Sequence, residues 1–369
     1  MKKYKKYMKS FFLVTSSLFL LAGCGDNGES EEESAGGGET DEVTIGVYGG
    51  DWESQIKEAG LEQFEEETGI TVNVQAGADA EWYSQLQASG GNDPLYDVLI
   101  LQPDTITKGI SADLLQPLDA ENIPNLEDIY PSVRERFTVD GNLYAAGFSM
   151  GQLGIAYRKD LVEEEPEAWM DLWEPEFEDS LGISSPSYSA GLQFFSGIVN
   201  SLGGEESNPE DIDQTFEKLN ELNSNVVAYP DNPGTIQTLL ERGEISAVPF
   251  WDGRTFALQE SGLDLGFTYP EEGPVAAVAS WAITKGSPNL ENAYKLVNYL
   301  LEPEVQANFA ELSYYGMSNS NVEYSEELEE RIQVGEEFYE QLKWVDYETV
   351  TPQLNDITQR WTDTFGGAQ

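Results

Sequence analysis

Histidine is absent from the 369 residues, and there is a single cysteine, Cys24. The first absence removes Ser-His-Asp triads, the common zinc sites and the imidazole proton shuttle of neutral pH. Catalysis would have to run on carboxylates, Lys, Tyr or Ser alone. One cysteine allows no disulfide within the chain, so its core must hold by packing. Basic residues are also scarce: 19 Lys and Arg face 68 Asp and Glu, for a formal net charge of −49. Nucleic acid and anionic lipid would both be repelled by such a chain. The acidity bears on hydration, as in a saline or alkaline habitat, and does not identify a ligand. No fixed-period repeat is present.

Part of the scarce basic complement sits at the start. Lys2, Lys3, Lys5, Lys6 and Lys9 precede an apolar stretch from Phe11 to Leu21, and Leu21-Ala22-Gly23-Cys24 closes it. The apolar stretch is too short to cross about 30 Å of hydrocarbon with margin, which makes it a secretory signal. Its ending resembles a bacterial lipobox, which implies cleavage after residue 23 and lipidation of Cys24. Buried acyl chains would then anchor the protein, each CH₂ contributing about 0.8 kcal/mol. Residues 24–42, rich in Gly, Ser and Glu, have little to bury and are expected to form a disordered acidic tether.

Two periodicities alternate from Val43 onward. Val43–Tyr48 reads as a strand ending in Gly49-Gly50. Ile56, Ala59, Leu61 and Phe64 give residues 53–68 a helical spacing that stops at Gly69. Ile70–Val74 is a second strand, Trp82–Ala88 a helix and Tyr96–Leu101 a buried strand. Further on, Gly154–Tyr157, Leu181–Ser184, Val226–Tyr229, Ile245–Phe250, Gly266–Tyr269 and Val275–Ile283 read as strands. Residues 190–202, 211–222 and 235–241 read as helices, and Leu290–Leu301 and Val305–Leu312 as helices split at Glu302-Pro303. The chain beyond Ser325 is expected to be helical and polar. This rhythm predicts an α/β fold with a mainly parallel sheet flanked by helices, and the length is comfortable for two domains.

Several phrases, in order, resemble extracellular solute-binding proteins of the spermidine/putrescine-binding type, components of ABC importers. They are Gly49-Gly50-Asp51-Trp52, Phe64 through Glu67-Thr68-Gly69-Ile70-Thr71-Val72, Tyr96-Asp97-Val98, and Trp169-Met170-Asp171-Leu172-Trp173-Glu174-Pro175-Glu176-Phe177. Gly243-Glu244 leading to Phe250-Trp251-Asp252-Gly253, Tyr269-Pro270-Glu271-Glu272-Gly273 leading to Trp281, and Ala293–Leu301 with Pro303 complete the set. The resemblance implies the type II periplasmic-binding fold, with two α/β lobes joined by crossing strands and closing over a ligand. It places one lobe at 43–148 plus 270–318 and the other at 149–269 plus 319–369. It also implies a membrane permease as partner and a monomer that is not an enzyme. No cofactor, metal or nucleic acid is expected.

Ligand contacts follow from strand ends and from the resemblance. Trp52 and Trp251 each follow a strand, and Trp251 matches the family's aromatic wall, where cation–π attraction is worth ~0.5–2 kcal/mol. Asp51, Asp104 and Asp252 are candidates to meet an ammonium, Arg254 a carboxylate, and Gln102, Ser187 and Tyr315 fall where the family has cleft residues. Two family acids are missing. Ser185-Pro186-Ser187-Tyr188 carries none, and Ala276-Ala277-Val278-Ala279-Ser280 lacks both a Trp and an Asp. A buried charge needs a partner, so a dication suits this chain poorly. The expected ligand is an amine: a polyamine, or better a singly charged or zwitterionic amino-acid-like compound of the γ-aminobutyrate or opine kind. Alternatives are a sugar, a ferric ion on Tyr314-Tyr315, and a hydrolase using two acids about 5–9 Å apart.

Overall fold

Strand β1 (Glu42–Tyr48) buries Val43, Ile45 and Val47. It is the natural seed of a sheet because parallel strands covered on both faces favour branched apolar residues. β2 (Thr71–Gly77) and β3 (Val98–Leu101) lie on either side of it, both parallel. The computed structural model describes residues 41–366, so the signal segment, Cys24 and nearly all of the tether lie outside the described residues.

The remaining strands, in chain order, are β4 (Leu115–Gln116), β5 (Thr138–Val139), β6 (Asn142–Leu143), β7 (Ala146–Arg158), β8 (Leu181–Gly182) and β9 (Val226–Ala228). They continue with β10 (Ala247–Trp251), β11 (Leu265–Thr268), β12 (Val275–Thr284) and β13 (Gly316–Met317). Eleven of them form one sheet, whose main path runs β2-β1-β3-β12-β7-β10-β8-β9, and β5 and β6 form a separate hairpin. β1–β3 are parallel at one end, and β10, β8 and β9 are parallel at the other. Between them β7 and β12 pair antiparallel along Ala146–Leu153 and Val275–Trp281, with a register shift at Ala279/Ser280. β12 continues onto β3, and β7 onto β10 and β11. These two long strands therefore cross from one parallel half to the other.

The α/β reading holds, and most expected elements are present within a few residues. Gly69 and Gly243 end their helices at φ 72° and 63°, a region that costs glycine nothing. Two expectations fail. Gly154–Tyr157 is only the end of the thirteen-residue β7, whose Gly147, Ser149, Gly151 and Gln152 hide it from a hydrophobic pattern although its first twelve residues are buried. The segment beyond Ser325 is not one helical run. Glu326–Glu329, Glu336–Tyr339 and Tyr347–Val350 are single turns, and only Leu354–Phe365 is long. Side chains of Ser325 and Asp346 cap two of the turns, and Gly335 at φ 107° separates two of them.

The apolar interior falls into clusters that follow the sheet. The first gathers β1, β3 and most of β12 with residues 290–317. The others gather the far half of β7 with β10 and the helices of residues 189–260. The C-terminal segment is divided between the clusters. Leu328, Ile332, Tyr339 and Leu342 belong to the first cluster, and the second is joined only from Val345 to Phe365. Hydrogen bonds hold its first part to the first cluster. The Tyr339 hydroxyl donates to the Met317 carbonyl at 3.2 Å, and Glu336 accepts from the Ser132 N–H and hydroxyl at 3.0 and 2.9 Å. Among the described residues no helix is long and apolar enough to cross a membrane.

Candidate functional site

Because β1, β2 and β3 are parallel, their carboxyl ends share one edge of the sheet, where open α/β sheets bind ligands. Tyr48 ends β1, Asp79 opens the helix Asp79–Ser89 just after β2, and Gln102 precedes the helix Pro103–Ser111 just after β3. Across a cleft of about 750 Å³ stand Trp251 at the end of β10, Arg254 one turn later, Ser187 and Tyr188, and Tyr315. Ser149 of β7 and Ala277 and Ala279 of β12 form the floor. The two segments that lack acids thus give the cleft Ser187 and Tyr188 from one and Ala277 and Ala279 from the other.

On the first wall Asp79 is held from several directions. Its carboxylate accepts the Gln102 backbone N–H at 2.8 Å and interacts with the Tyr48 hydroxyl and the Thr105 side chain. The Gln102 amide in turn donates to the Tyr48 oxygen at 3.3 Å. Burial, and then the charge of Asp104, push the Asp79 carboxyl from 3.8 up to about 6. Burial and the Asp79 charge likewise push the Tyr48 hydroxyl well above its ordinary value. Asp104 is paired with Lys108, one helical turn on, at 3.0 Å. Asp79 has no salt bridge among the described residues.

The second wall is aromatic. The Trp251 indole N–H donates to the Gln193 side-chain oxygen at 2.8 Å, and its ring meets Tyr188 edge-on at 5.7 Å. The Tyr188 hydroxyl is buried without a hydrogen-bond partner among the described residues. Such a group costs about 1–3 kcal/mol unless something satisfies it. Burial raises the Tyr315 hydroxyl, and the hydrogen bond and charge of Arg254 oppose that shift. Arg254 makes no ion pair with an acid among the described residues.

Seven of the nine expected ligand residues meet here: Trp52, Gln102, Asp104, Ser187, Trp251, Arg254 and Tyr315. Trp52 is only 4% exposed and packs on Tyr48, Phe148, Trp281 and Phe309, so it backs the wall more than it faces the solute. Asp51 and Asp252 do not line the cleft. Asp51 is exposed at a helix start. Asp252 is fully buried behind the cleft, accepting the Gln152 and Gly253 N–H groups at 3.1 and 2.8 Å and the Tyr269 hydroxyl at 3.3 Å. Burial raises its carboxyl to about 7. Tyr314, the other half of the ferric pair, sits at φ 59° with Arg331 over its ring, 6.0 Å from the centroid, and does not line the cleft with Tyr315. Among the described residues no cluster of three metal-ligating side chains occurs.

Asp79, Tyr48, Lys108 and Tyr188 were missed. The rule that finds Gln102 and Asp104 at a strand end would have found Asp79 too, had β2 been carried to Gly77 instead of Val74. Its final residues, Gln75, Ala76 and Gly77, are one polar and two small, and carry no apolar signal that would reveal the extension.

With this geometry in view, the sequence matches the model of the bacterial extracellular solute-binding protein family over residues 59–335. The chain belongs to that family. It is 28% identical over 285 residues to the spermidine/putrescine-binding periplasmic protein of Salmonella typhimurium, covering 76% of this chain and 79% of that one. Its fold resembles that of the spermidine/putrescine ABC transporter substrate-binding protein of Streptococcus pneumoniae (24% identity, TM-score 0.73, covering 88% and 100% of the two chains). An ABC transporter substrate-binding protein from Bradyrhizobium japonicum is similar at 23% identity and TM-score 0.73, covering 88% and 99%. The protein is therefore the solute-binding component of an ABC importer, periplasmic or extracellular. It binds a small solute for a membrane permease and is not an enzyme.

Proposed function

We propose that the solute is a small zwitterion carrying one ammonium and one carboxylate. The carrying observation is that, among the described residues, the cleft holds an acid without a base, Asp79, and a base without an acid, Arg254. Isolated charges in a partly buried site are costly until a counter-charge arrives. An ammonium beside Asp79 and Tyr48, a carboxylate beside Arg254 and Tyr188, and the connecting alkyl chain across Trp251 satisfy each group. The lining contains two acids and two bases in a chain where acids outnumber bases 68 to 19. That local balance suits a guest of zero net charge. A polyamine is the second reading, favoured by the name of the Salmonella relative and by the two carboxylates on one wall.

The two parallel halves act as lobes that shut on this guest, with β7 and β12 as the hinge and residues 328–342 moving with the first lobe. The protein works as a monomer, lipid-anchored through Cys24. The test is a thermal-shift panel of ω-amino acids, α-amino acids, opines, polyamines and sugars. An ω-amino acid at 100 times its dissociation constant should add about 2.7 kcal/mol of stability. Unchanged melting with every amino acid, alongside a shift with a sugar, would overturn the reading. For the anchor, Cys24→Ser should release the protein from the cell surface, whereas retention in the membrane fraction would contradict it.

A further inference from the structure

Lys108 lines the cleft on the same wall as both acids. Its ammonium lies 3.0 Å from the Asp104 carboxylate, and both side chains remain partly exposed, at 28% and 27%. It belongs to the helix Pro103–Ser111, one turn after Asp104, so the backbone fixes its reach. Asp79 is tied by its own hydrogen bonds to Gln102, Tyr48 and Thr105 and shares no salt bridge with a cation among the described residues. The wall thus presents two carboxylates, one of them occupied by an ammonium that belongs to the protein.

We infer that Lys108 is a tethered counter-cation that fixes the ligand's charge, neutralising Asp104 so that the wall accepts one ammonium and rejects two. A diamine entering the native cleft would bring two positive charges to a lining already balanced by Lys108 and Arg254. In a site of reduced dielectric, that excess is far more costly than in water. Without the Lys108 charge, Asp104 becomes a second ammonium acceptor beside Asp79, and the same cleft turns toward dications. Discrimination between the two classes would then rest on a residue that need not touch the preferred solute. This inference rests on the zwitterion reading and refines it.

The experiment titrates the wild-type protein, Lys108→Met and Lys108→Arg with an ω-amino acid and the α,ω-diamine of equal length, by calorimetry. The ratio of diamine to amino-acid affinity should rise at least tenfold in Lys108→Met and stay at the wild-type value in Lys108→Arg. Lys108→Gln, with a polar side chain of similar length, should repeat the Met result if the Met variant folds poorly. An unchanged ratio in both neutral variants, with the wild-type protein still binding the amino acid, would overturn the role of Lys108 alone. A wild-type protein that binds neither compound would overturn this inference and the zwitterion reading together.

Discussion

At Asp79 burial and a neighbouring charge act in the same direction, and the consequence differs in sign for folding and for binding. With the folded carboxyl raised from 3.8 to about 6, its contribution to stability is present below 3.8 and lost as pH rises through 6. An ammonium needs the ionised form, so amine affinity should fall below about pH 6, approaching tenfold per pH unit. Titration calorimetry from pH 4.5 to 7.5 checks this, and Asp79→Asn should bind weakly with a flat profile. Asp252 follows the same rule at a different place. Its carboxyl, raised to about 7 by burial, contributes stability that is present below 3.8 and disappears as pH rises through 7. Asp252→Asn should flatten the dependence of Tm between about pH 4 and 7, and an unchanged slope would mean that Asp252 does not titrate there. Trp251→Ala removes the ring that meets Tyr188 edge-on and bonds Gln193. It should cost at least tenfold in affinity with the circular dichroism spectrum retained; unchanged binding would place the site elsewhere.

Among the elements, the cleft is built where strands stop and helices begin, and this is why so much of it could be read from the order of residues. Gln102, Asp104, Trp251 and Arg254 each follow a recognisable apolar strand, and all four line the cleft. What was hidden shares a cause. β2 ends in Gln75-Ala76-Gly77, and the first half of β7 is interrupted by small and polar residues, so hydrophobic pattern stopped short of both. Asp252 misled for the opposite reason. It follows a strand as a ligand residue should, yet helix geometry turns it inward onto the Gln152 and Gly253 amides. Position along the chain shows where the cleft lies, whereas burial and pairing are set by contacts between distant segments. Gly253 depends on such a contact. A Cβ there would stand 2.6 Å from the Tyr315 ring and 2.8 Å from the Ser313 carbonyl. Gly253→Ala should displace Tyr315, weakening solute binding and lowering stability by about 1–3 kcal/mol. Denaturant unfolding with calorimetry on the same sample reads both effects, and full retention of both would contradict the close packing.

For the whole molecule, the contrast lies between a surface dominated by acid and a cleft in which acids and bases balance. The formal charge of −49 says little about the solute, since the lining holds Asp79 and Asp104 against Lys108 and Arg254. In the proposed closure, two parallel halves joined by long crossing strands would shut on the guest, with contacts from both walls biasing the closed state. The most direct test is calorimetric titration of the purified protein with a matched series: an ω-amino acid, the alkylamine lacking its carboxylate, and the carboxylic acid lacking its amine. The amino acid should bind at least a hundredfold more tightly than either fragment, because each charge meets its own counter-charge on opposite walls. If the simple amine binds as well as the amino acid, Arg254 has no carboxylate to receive, and the account of the cleft is wrong.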